Sequence, residues 1–126
     1  MSGLRDLNDD RDLDAALSSE IALLYKHSPY CGLSAMARHE ISFFSQGNPG
    51  VPVFVIDVIH RRPLSQQIAQ RFEIEHESPQ VILLRRGRPV FDASHRGVSA
   101  YALERELKRF AEENSAAEPN GRTNEL

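Results

Sequence analysis

The chain has 126 residues, enough for one domain that buries about two-thirds of the surface exposed by its unfolded form. Fifteen basic and eighteen acidic side chains give a net charge of −3, which does not suggest a nucleic-acid partner. No apolar run approaches the ~20 residues of a membrane span, so we expect no membrane association. A single cysteine and the lack of an apolar leader at the N-terminus predict a reducing, cytoplasmic location.

The first 19 residues are interpreted as an N-terminal extension to the domain. Residues 1–12 are polar and acid-rich and, apart from Leu4, Leu7 and the following Leu13, are expected to be loosely held. Apolar positions at helical spacing predict a short leading helix over residues 12–19. The domain itself is expected over residues 20–113, and the small polar residues of 114–126 predict a disordered tail.

Within the domain, strand patterns alternate with helix patterns. Continuous apolar runs predict strands over residues 20–26, 51–59, 80–85 and 89–93, and apolar positions at helical spacing predict helices over residues 31–45, 64–72 and 99–113. Because a helix joins the first two strands, they should form a parallel pair with a right-handed crossover. Arg86 and Gly87 predict a tight turn, so the last two strands should be antiparallel.

Cys31 stands where the first predicted strand gives way to a helix. Unpaired backbone N–H groups and the positive end of the helix dipole at such a junction both favour thiolate over thiol. Free cysteine is only a few per cent ionised at neutral pH, so even a modest fall in its pKa increases the supply of nucleophile. We therefore interpret Cys31 as a redox nucleophile.

The predicted order, β-α-β-α-β-β-α with a mixed four-stranded sheet and a short extra N-terminal helix, resembles the α/β thioredoxin-like fold. Members of that fold carry their nucleophile between the first core strand and its helix. The segment 31–34, Cys-Gly-Leu-Ser, has the C-x-x-C spacing with serine in the second place, as in monothiol members. Ser78 and Pro79 precede the third core strand, where the fold carries a cis-proline beside the cysteine. An X-Pro bond can be held cis at a cost of about 0.5–1 kcal/mol.

Several short motifs between residues 20 and 110 agree in order and spacing with one known family. They are Tyr25-Lys26-His27-Ser28, Cys31 with Ser34, Asp57-Val58-Ile59, Arg62-Pro63-Leu64-Ser65, His76-Glu77-Ser78-Pro79-Gln80-Val81 and Ala93-Ser94-His95. Together they resemble the monothiol bacilliredoxins of the bacillithiol system. The family typically places proline directly after the cysteine, and here Gly32 stands in its place, which leaves the loop freer.

The resemblance implies that Cys31 removes bacillithiol, or a similar low-molecular-weight thiol, from mixed disulfides with client proteins. The thiol is then a co-substrate, no cofactor or metal is expected, and the protein is expected to be a monomer. A second thiol must come from outside the chain to regenerate Cys31, because Ser34 cannot resolve a disulfide. A cis bond at Pro79 would turn the backbone of Ser78 toward the cysteine, where a bound substrate could pair with it like an added strand.

The residues around Cys31 each have a functional and an ordinary interpretation. Lys26 and His27 could favour the thiolate and attract the carboxylates of an anionic thiol, or they could form a solvated strand end. The Ser34 hydroxyl could hydrogen-bond to the sulfur, or be a common first-turn serine. Tyr30 could contact substrate or pack on the turn. The predicted substrate-binding residues are Lys26, His27, Tyr30, Gly32, Ser34, Ser78 and Pro79.

Other charged residues are given ordinary interpretations. Histidines 39, 60, 76 and 95 lack the spacing of zinc ligands, so no metal site is predicted. The pair Arg61-Arg62 and the segment 85–88 are interpreted as solvated ends and turns of secondary-structure elements. His95 and Arg96 could touch a carboxylate of the small thiol.

Two alternatives to the oxidoreductase remain open. Gly32 makes the active segment resemble the Cys-Gly-Phe-Ser of monothiol glutaredoxins, which bind a [2Fe–2S] cluster with glutathione. One cysteine per chain would then require a dimer and two external thiols, and the Gly-Gly-x-Asp glutathione motif is missing before the last helix. The other alternative is a non-catalytic binding module in which Cys31 is unreactive.

Overall fold

The protein is described by a computed structural model over residues 3–117. Its strands are β1 (Leu4–Asp6), β2 (Ile21–His27), β3 (Val53–Asp57), β4 (Gln80–Arg85) and β5 (Arg88–Ser94). Its helices are α1 (Asp10–Ser18), α2 (Gly32–Gly47), α3 (Arg62–Phe72) and α4 (Ala100–Ala117), with a short 3-10 helix, His95–Gly97, before α4. None of these described helices combines the length and the apolar character that crossing a bilayer requires.

All five strands belong to one mixed sheet with the order β1-β3-β2-β4-β5. Strands β1, β3 and β2 are parallel, whereas β4 runs antiparallel to β2 and β5 runs antiparallel to β4. The predicted β-α-β-α-β-β-α order is thereby confirmed from β2 onward. Strand β2 is central, so the turn that follows it lies in the middle of one edge of the sheet.

The N-terminal segment corrects the predicted four-stranded sheet. Residues Leu4–Asp6 form a fifth strand beside β3, and the N–H of Leu7 donates to the carbonyl of Val55 at 2.8 Å. The backbone of this segment is therefore held by the sheet, not loose as expected, while the Leu7 side chain, which that expectation excepted, is fully buried. Two of the three residues of β1 are charged, so the sequence gives no local signal for a strand there. The strand forms because β3 offers a free edge for pairing.

The C-terminal helix also differs from the prediction. Helix α4 continues to Ala117, so the first four residues of the predicted disordered tail, 114–117, are helical. Alanine at positions 116 and 117 favours the helix, and the first proline after α4 begins is at position 119. The remainder of that predicted tail, residues 118–126, lies outside the described residues.

The sheet separates two apolar layers, and successive residues of β2 point into opposite ones, as a pleated strand requires. Leu23 and Tyr25 face the layer that also contains residues of α2 and α4, whereas Leu24 faces the layer that contains residues of α1 and α3. Lys26 follows the same alternation, and its ammonium group reaches the backbone of α3 at Ser65. The alternation therefore places Tyr25 and Lys26, near the end of β2, on opposite sides of the sheet.

The turn between β4 and β5 provides a stability test. Arg86 and Gly87 have φ values of 52° and 79°, the pair of positive values that a type I′ turn needs, and a Cβ on Gly87 would lie 3.0 Å from the carbonyl oxygen of Leu17. We expect Gly87→Ala to lower the free energy of unfolding by about 1 kcal/mol or more, because both strain and crowding oppose it. Urea denaturation measures the change.

Gly32→Ala is the matched control, because a Cβ at the first position of α2 meets no atom within 4 Å. Alanine there should be neutral or stabilising by up to about 1 kcal/mol. Equal stability of Gly87→Ala and the wild type would contradict this description of the turn.

Candidate active site

Cys31 is the residue that caps the N-terminus of α2. Its backbone is extended, with φ −115° and ψ 123°, and its carbonyl accepts the N–H of Ala35 at 3.1 Å to open the helix. The N–H of Cys31 donates to the carbonyl of Ser28 at 3.3 Å, which closes the turn after β2. The side chain is partly exposed, so the sulfur is neither enclosed in the core nor fully in solvent.

The first turn of α2 favours the ionised form of that sulfur. The backbone N–H groups of Ser34 and Leu33, together with the Ser34 hydroxyl, lower the pKa of the Cys31 thiol below its ordinary value, and partial burial opposes them only in part. These donors come with the helix terminus itself, because the first N–H groups of a helix have no partner within it. The site can therefore supply a thiolate nucleophile.

Ser34 is fully buried and is bound on three sides. Its hydroxyl accepts the N–H of Ser28 at 3.3 Å, which leaves the hydroxyl proton for the Cys31 sulfur. Its carbonyl accepts the hydroxyl of Tyr25 at 2.8 Å. The serine therefore joins the strand end, the turn and the helix around the sulfur.

Tyr25 also determines which ring nitrogen of His27 carries a proton. The tyrosine has one proton and donates it to the carbonyl of Ser34, so the Nδ1–H of His27, 2.8 Å away, must donate to the tyrosine oxygen. Burial, followed by the charge of Arg38, lowers the pKa of His27, which favours the neutral ring. His27 consequently lies near the sulfur without the positive charge that would stabilise a thiolate. Tyr25 appeared in the sequence only as part of an apolar run, and no local signal indicated this role.

Lys26 is buried, so its interpretation as part of a solvated strand end is wrong. The side chain is only 1% exposed, and its Nζ donates to the carbonyl of Ser65 at 3.1 Å and contacts Nδ1 of His76 at 3.0 Å. Burial lowers the pKa of Lys26 to about 8. Its partners lie 39 and 50 residues away along the chain, so they could not be recognised from the sequence around it.

The sulfur borders two cavities. The first, of about 340 Å³, is lined by Ser28, Cys31, Val58, Ile59, Arg62, Ser65, Gln66, His76 and Ser78. The second, of about 330 Å³, is lined by His27, Pro29, Cys31, Ala35, Arg38, His39 and Ser42. Arg62, which the sequence predicts to be solvated, and His76, for which the sequence excludes only a zinc-ligand role, therefore lie beside the nucleophile. No local signal indicates that Gln66 joins them.

The peptide bond between Ser78 and Pro79 is cis, as predicted, and Ser78 lines the first cavity together with Cys31. The Ser78 hydroxyl is buried and has no hydrogen-bond partner within residues 3–117. The Pro79 carbonyl accepts the N–H of His95 at 2.9 Å, and the His95 ring contacts a carboxylate oxygen of Glu77 at 2.8 Å. The structure thus brings the cysteine and the Ser-Pro pair to one cavity.

The other predicted site residues lie around this centre. Tyr30 is 79% exposed, so it does not pack on the turn, and Gly32 faces open space. His95 and Arg96 line a different cavity, whose lining does not include Cys31. No group of three or more His, Cys, Asp or Glu side chains in the described part of the chain could hold a metal ion.

The chain is similar to known proteins in sequence and in fold. The sequence model of a family described as monothiol bacilliredoxin BrxC matches residues 4–103. A solved structure described as an oxidoreductase with a thioredoxin fold is 23% identical, with a TM-score of 0.77 over 81% of this chain and 91% of that one. Mitochondrial thioredoxin 3 of Saccharomyces cerevisiae is 19% identical, with a TM-score of 0.67 over 84% of this chain and 94% of that one.

Thioredoxin from Trypanosoma brucei brucei is 14% identical, with a TM-score of 0.70 over 86% of this chain and 91% of that one. At these identities the solved structures establish the fold alone. The fold is thioredoxin-like, as predicted from the order of the elements.

The contribution of Ser34 to the ionisation of Cys31 can be tested. In Ser34→Ala the sulfur loses the hydroxyl but keeps the backbone N–H groups, so the pKa of Cys31 should rise toward its ordinary value. We expect the rate of alkylation by iodoacetamide at pH 7 to fall and the midpoint of its pH profile to move upward. Ser18→Ala, at an exposed position of α1 that lines neither cavity beside Cys31, should reproduce the wild-type profile. Overlap of the Ser34→Ala profile with it would contradict this role.

The buried lysine predicts a dependence of stability on pH. The folded pKa of Lys26 is about 8 and its ordinary value is 10.5, so the unfolded chain binds more protons between these limits. The free energy of unfolding of the wild type should therefore rise from pH 8 to pH 10.5 relative to Lys26→Met. We expect the gap between the two proteins to change by about 2 kcal/mol between pH 7 and pH 10, measured by urea denaturation.

The control is Lys108→Met, which removes the only other lysine, an exposed residue of α4. It should track the wild type at every pH. A constant gap between the wild type and Lys26→Met across the range would show that Lys26 is not held in a desolvated position.

Proposed function

The chain belongs to the monothiol bacilliredoxin family, and we propose that it is a cytoplasmic thiol–disulfide oxidoreductase that removes bacillithiol, or a similar small thiol, from client proteins. The observation that carries the proposal is the position of Cys31. Its partly exposed sulfur lies at the start of α2, where helix N–H groups lower its pKa, and it borders a cavity that also contains Ser78. That arrangement supports nucleophilic attack on a disulfide.

In the proposed reaction the Cys31 thiolate attacks the small thiol's sulfur in a mixed disulfide with a client protein. A bond forms between Cys31 and that sulfur, and the bond to the client cysteine breaks. The client leaves as a thiolate and takes a proton from water, so the client is reduced while Cys31 is oxidised. A second small thiol, as its thiolate, then attacks the Cys31 adduct, releases a symmetrical disulfide and restores the Cys31 thiolate.

The residues around the sulfur support distinct steps of this reaction. Ser34 carries a hydroxyl where dithiol relatives carry the second cysteine, so the adduct on Cys31 has no internal thiol to resolve it. The exposed Tyr30 ring is available to contact the client, and Gly32, Ser78 and Pro79 are proposed to border the bound thiol. Because Lys26 is buried, it would act on substrate only through its neighbours, and His27 would act as a neutral ring.

The transfer can be followed by mass spectrometry of the intact chain. Incubation with a client protein that carries one small thiol in a mixed disulfide should add the mass of that thiol to the wild-type chain. Cys31→Ser should gain no mass and release no client thiol. Ser34→Cys places a thiol beside the adduct, so we expect that variant to lose the adduct and accumulate an internal disulfide instead.

Transfer that persists in Cys31→Ser, or a wild-type chain that never gains the adduct, would rule out the proposed reaction. A stable adduct on Ser34→Cys would contradict the placement of residue 34 against the sulfur.

A further inference from the structure

The cavity beside Cys31 is rich in hydrogen-bond donors and contains no acidic lining residue. Arg62 and Gln66 reach it from α3, His76 reaches it from the connector before β4, and Ser28 and Ser78 border it nearer the sulfur. Apolar side chains of the loop after β3 form the rest of the wall. A cavity with this lining suits a small anionic group better than an apolar one.

Lys26 fixes which nitrogen of His76 carries the proton. An ammonium group can only donate, so the 3.0 Å contact with Lys26 makes Nδ1 of His76 an acceptor. The Ser65 hydroxyl lies 3.3 Å from the same nitrogen. The neutral ring must then carry its proton on Nε2, which is available as a donor to a group in the cavity that His76 lines.

Arg62 has no ion pair within residues 3–117. Burial, then the charges of Lys26 and Arg62, lower the pKa of His76, while the charge of Glu77 opposes them. Asp57 accepts the N–H groups of Ile59 and His60 and contacts the His60 ring. Glu77 contacts the His95 ring and does not line the cavity beside Cys31. The cavity therefore combines the exposed cation of Arg62 with the neutral N–H donor of His76, and the buried ammonium of Lys26 lies behind His76.

On the basis of the proposed function, we propose that Arg62 and His76 bind a carboxylate of the small thiol while its sulfur is bonded to Cys31, with Gln66 as an additional donor. These two residues would make the site react faster with a disulfide that carries a carboxylate than with a neutral disulfide of similar size. Arg62 supplies charge and His76 supplies a directed N–H. Lys26 is a positioning residue, since it touches the substrate only through His76.

Two disulfide reagents of opposite character test this selectivity at the sulfur itself. 5,5′-Dithiobis(2-nitrobenzoic acid) carries a carboxylate on each ring, whereas 4,4′-dithiodipyridine is neutral, and each releases a product on reaction with Cys31 that can be followed by its absorbance. We divide the second-order rate constant for the carboxylate reagent by that for the neutral reagent. This ratio does not depend on how far Cys31 is ionised, because ionisation affects both rates equally. We expect Arg62→Gln to lower this ratio about three- to tenfold, the range for loss of one partly exposed charged contact.

The neighbouring arginine is the matched control. Arg61 also stands at the start of α3, but its side chain donates to Asn8 at 3.3 Å and does not line the cavity. Arg61→Gln removes the same charge and should leave the ratio at its wild-type value. If Arg61→Gln and Arg62→Gln lower the ratio equally, general electrostatic attraction explains it and the proposed subsite is overturned.

The role of His76 is tested by substitution and by spectroscopy. His76→Gln keeps an N–H donor near the position of Nε2 and should retain most of the ratio, whereas His76→Leu should lose it. Nitrogen chemical shifts of the His76 ring should report the Nε2–H form in the wild type and a mixture of forms in Lys26→Met. An unchanged ring tautomer in Lys26→Met would overturn the positioning role of the lysine.

The absolute rates test the proposed oxidoreductase, and the ratio of rates tests the carboxylate subsite, so the two proposals can fail separately. Fast reaction of the wild type with the neutral reagent, combined with equal ratios in the wild type and Arg62→Gln, overturns the carboxylate subsite and leaves the oxidoreductase standing. Slow reaction with both reagents, combined with a ratio that still falls in Arg62→Gln, argues against the oxidoreductase and retains the subsite.

Discussion

The interaction on which the site depends is the electrostatic attraction between a Cys31 thiolate and the first N–H groups of α2. The first N–H groups of any helix lack partners within it, and here those of Ser34 and Leu33 lower the pKa of Cys31, the residue at the N-terminal cap. The central position of β2 brings this helix start to the middle of the sheet edge. Everything else at the site, from the cis Ser78–Pro79 bond to the two cavities, is arranged around a sulfur fixed in this way.

Two consecutive residues of β2 organise the two sides of that sulfur. Tyr25 points toward α2, where its single proton connects the strand to Ser34 and leaves Nδ1–H of His27 as a donor. Lys26 points toward α3, where its ammonium reaches Ser65 and sets the proton position on His76. Pleating of the strand makes this division possible, because adjacent side chains must leave the sheet on opposite faces. Tyr25 and Lys26 at the end of β2 thus orient the residues on both sides of the Cys31 sulfur.

Features encoded by neighbouring residues could be predicted from the sequence. The cysteine at the start of α2, the tight turn at Arg86 and Gly87, and the proline bond before β4 each follow from residues within a few positions of one another. The order of the strands and helices from β2 onward follows from apolar periodicity in the same local way. For these features the local preference and the tertiary structure agree.

Features that depend on distant partners could not be predicted. Strand β1 exists because β3 offers a free edge, and its own three residues carry no strand signal. The burial of Lys26 depends on His76, 50 residues away, and Arg62 acquires its place at the cavity only when α3 packs beside β2. A lysine at a strand end and paired arginines before a helix are ordinarily solvated, so the sequence allows either a substrate-binding or a solvated Lys26 but predicts neither the burial of Lys26 nor a role for Arg62.

The central claim is that helix N–H groups lower the pKa of the Cys31 thiol beside the cavity. Titration of the thiolate by its ultraviolet absorbance, with Cys31→Ser as the blank, measures this most directly. A midpoint below about 8.5, the ordinary pKa of free cysteine, is the result that the structure predicts. A midpoint at or above that value would contradict it, because the sulfur would then gain nothing from the start of α2.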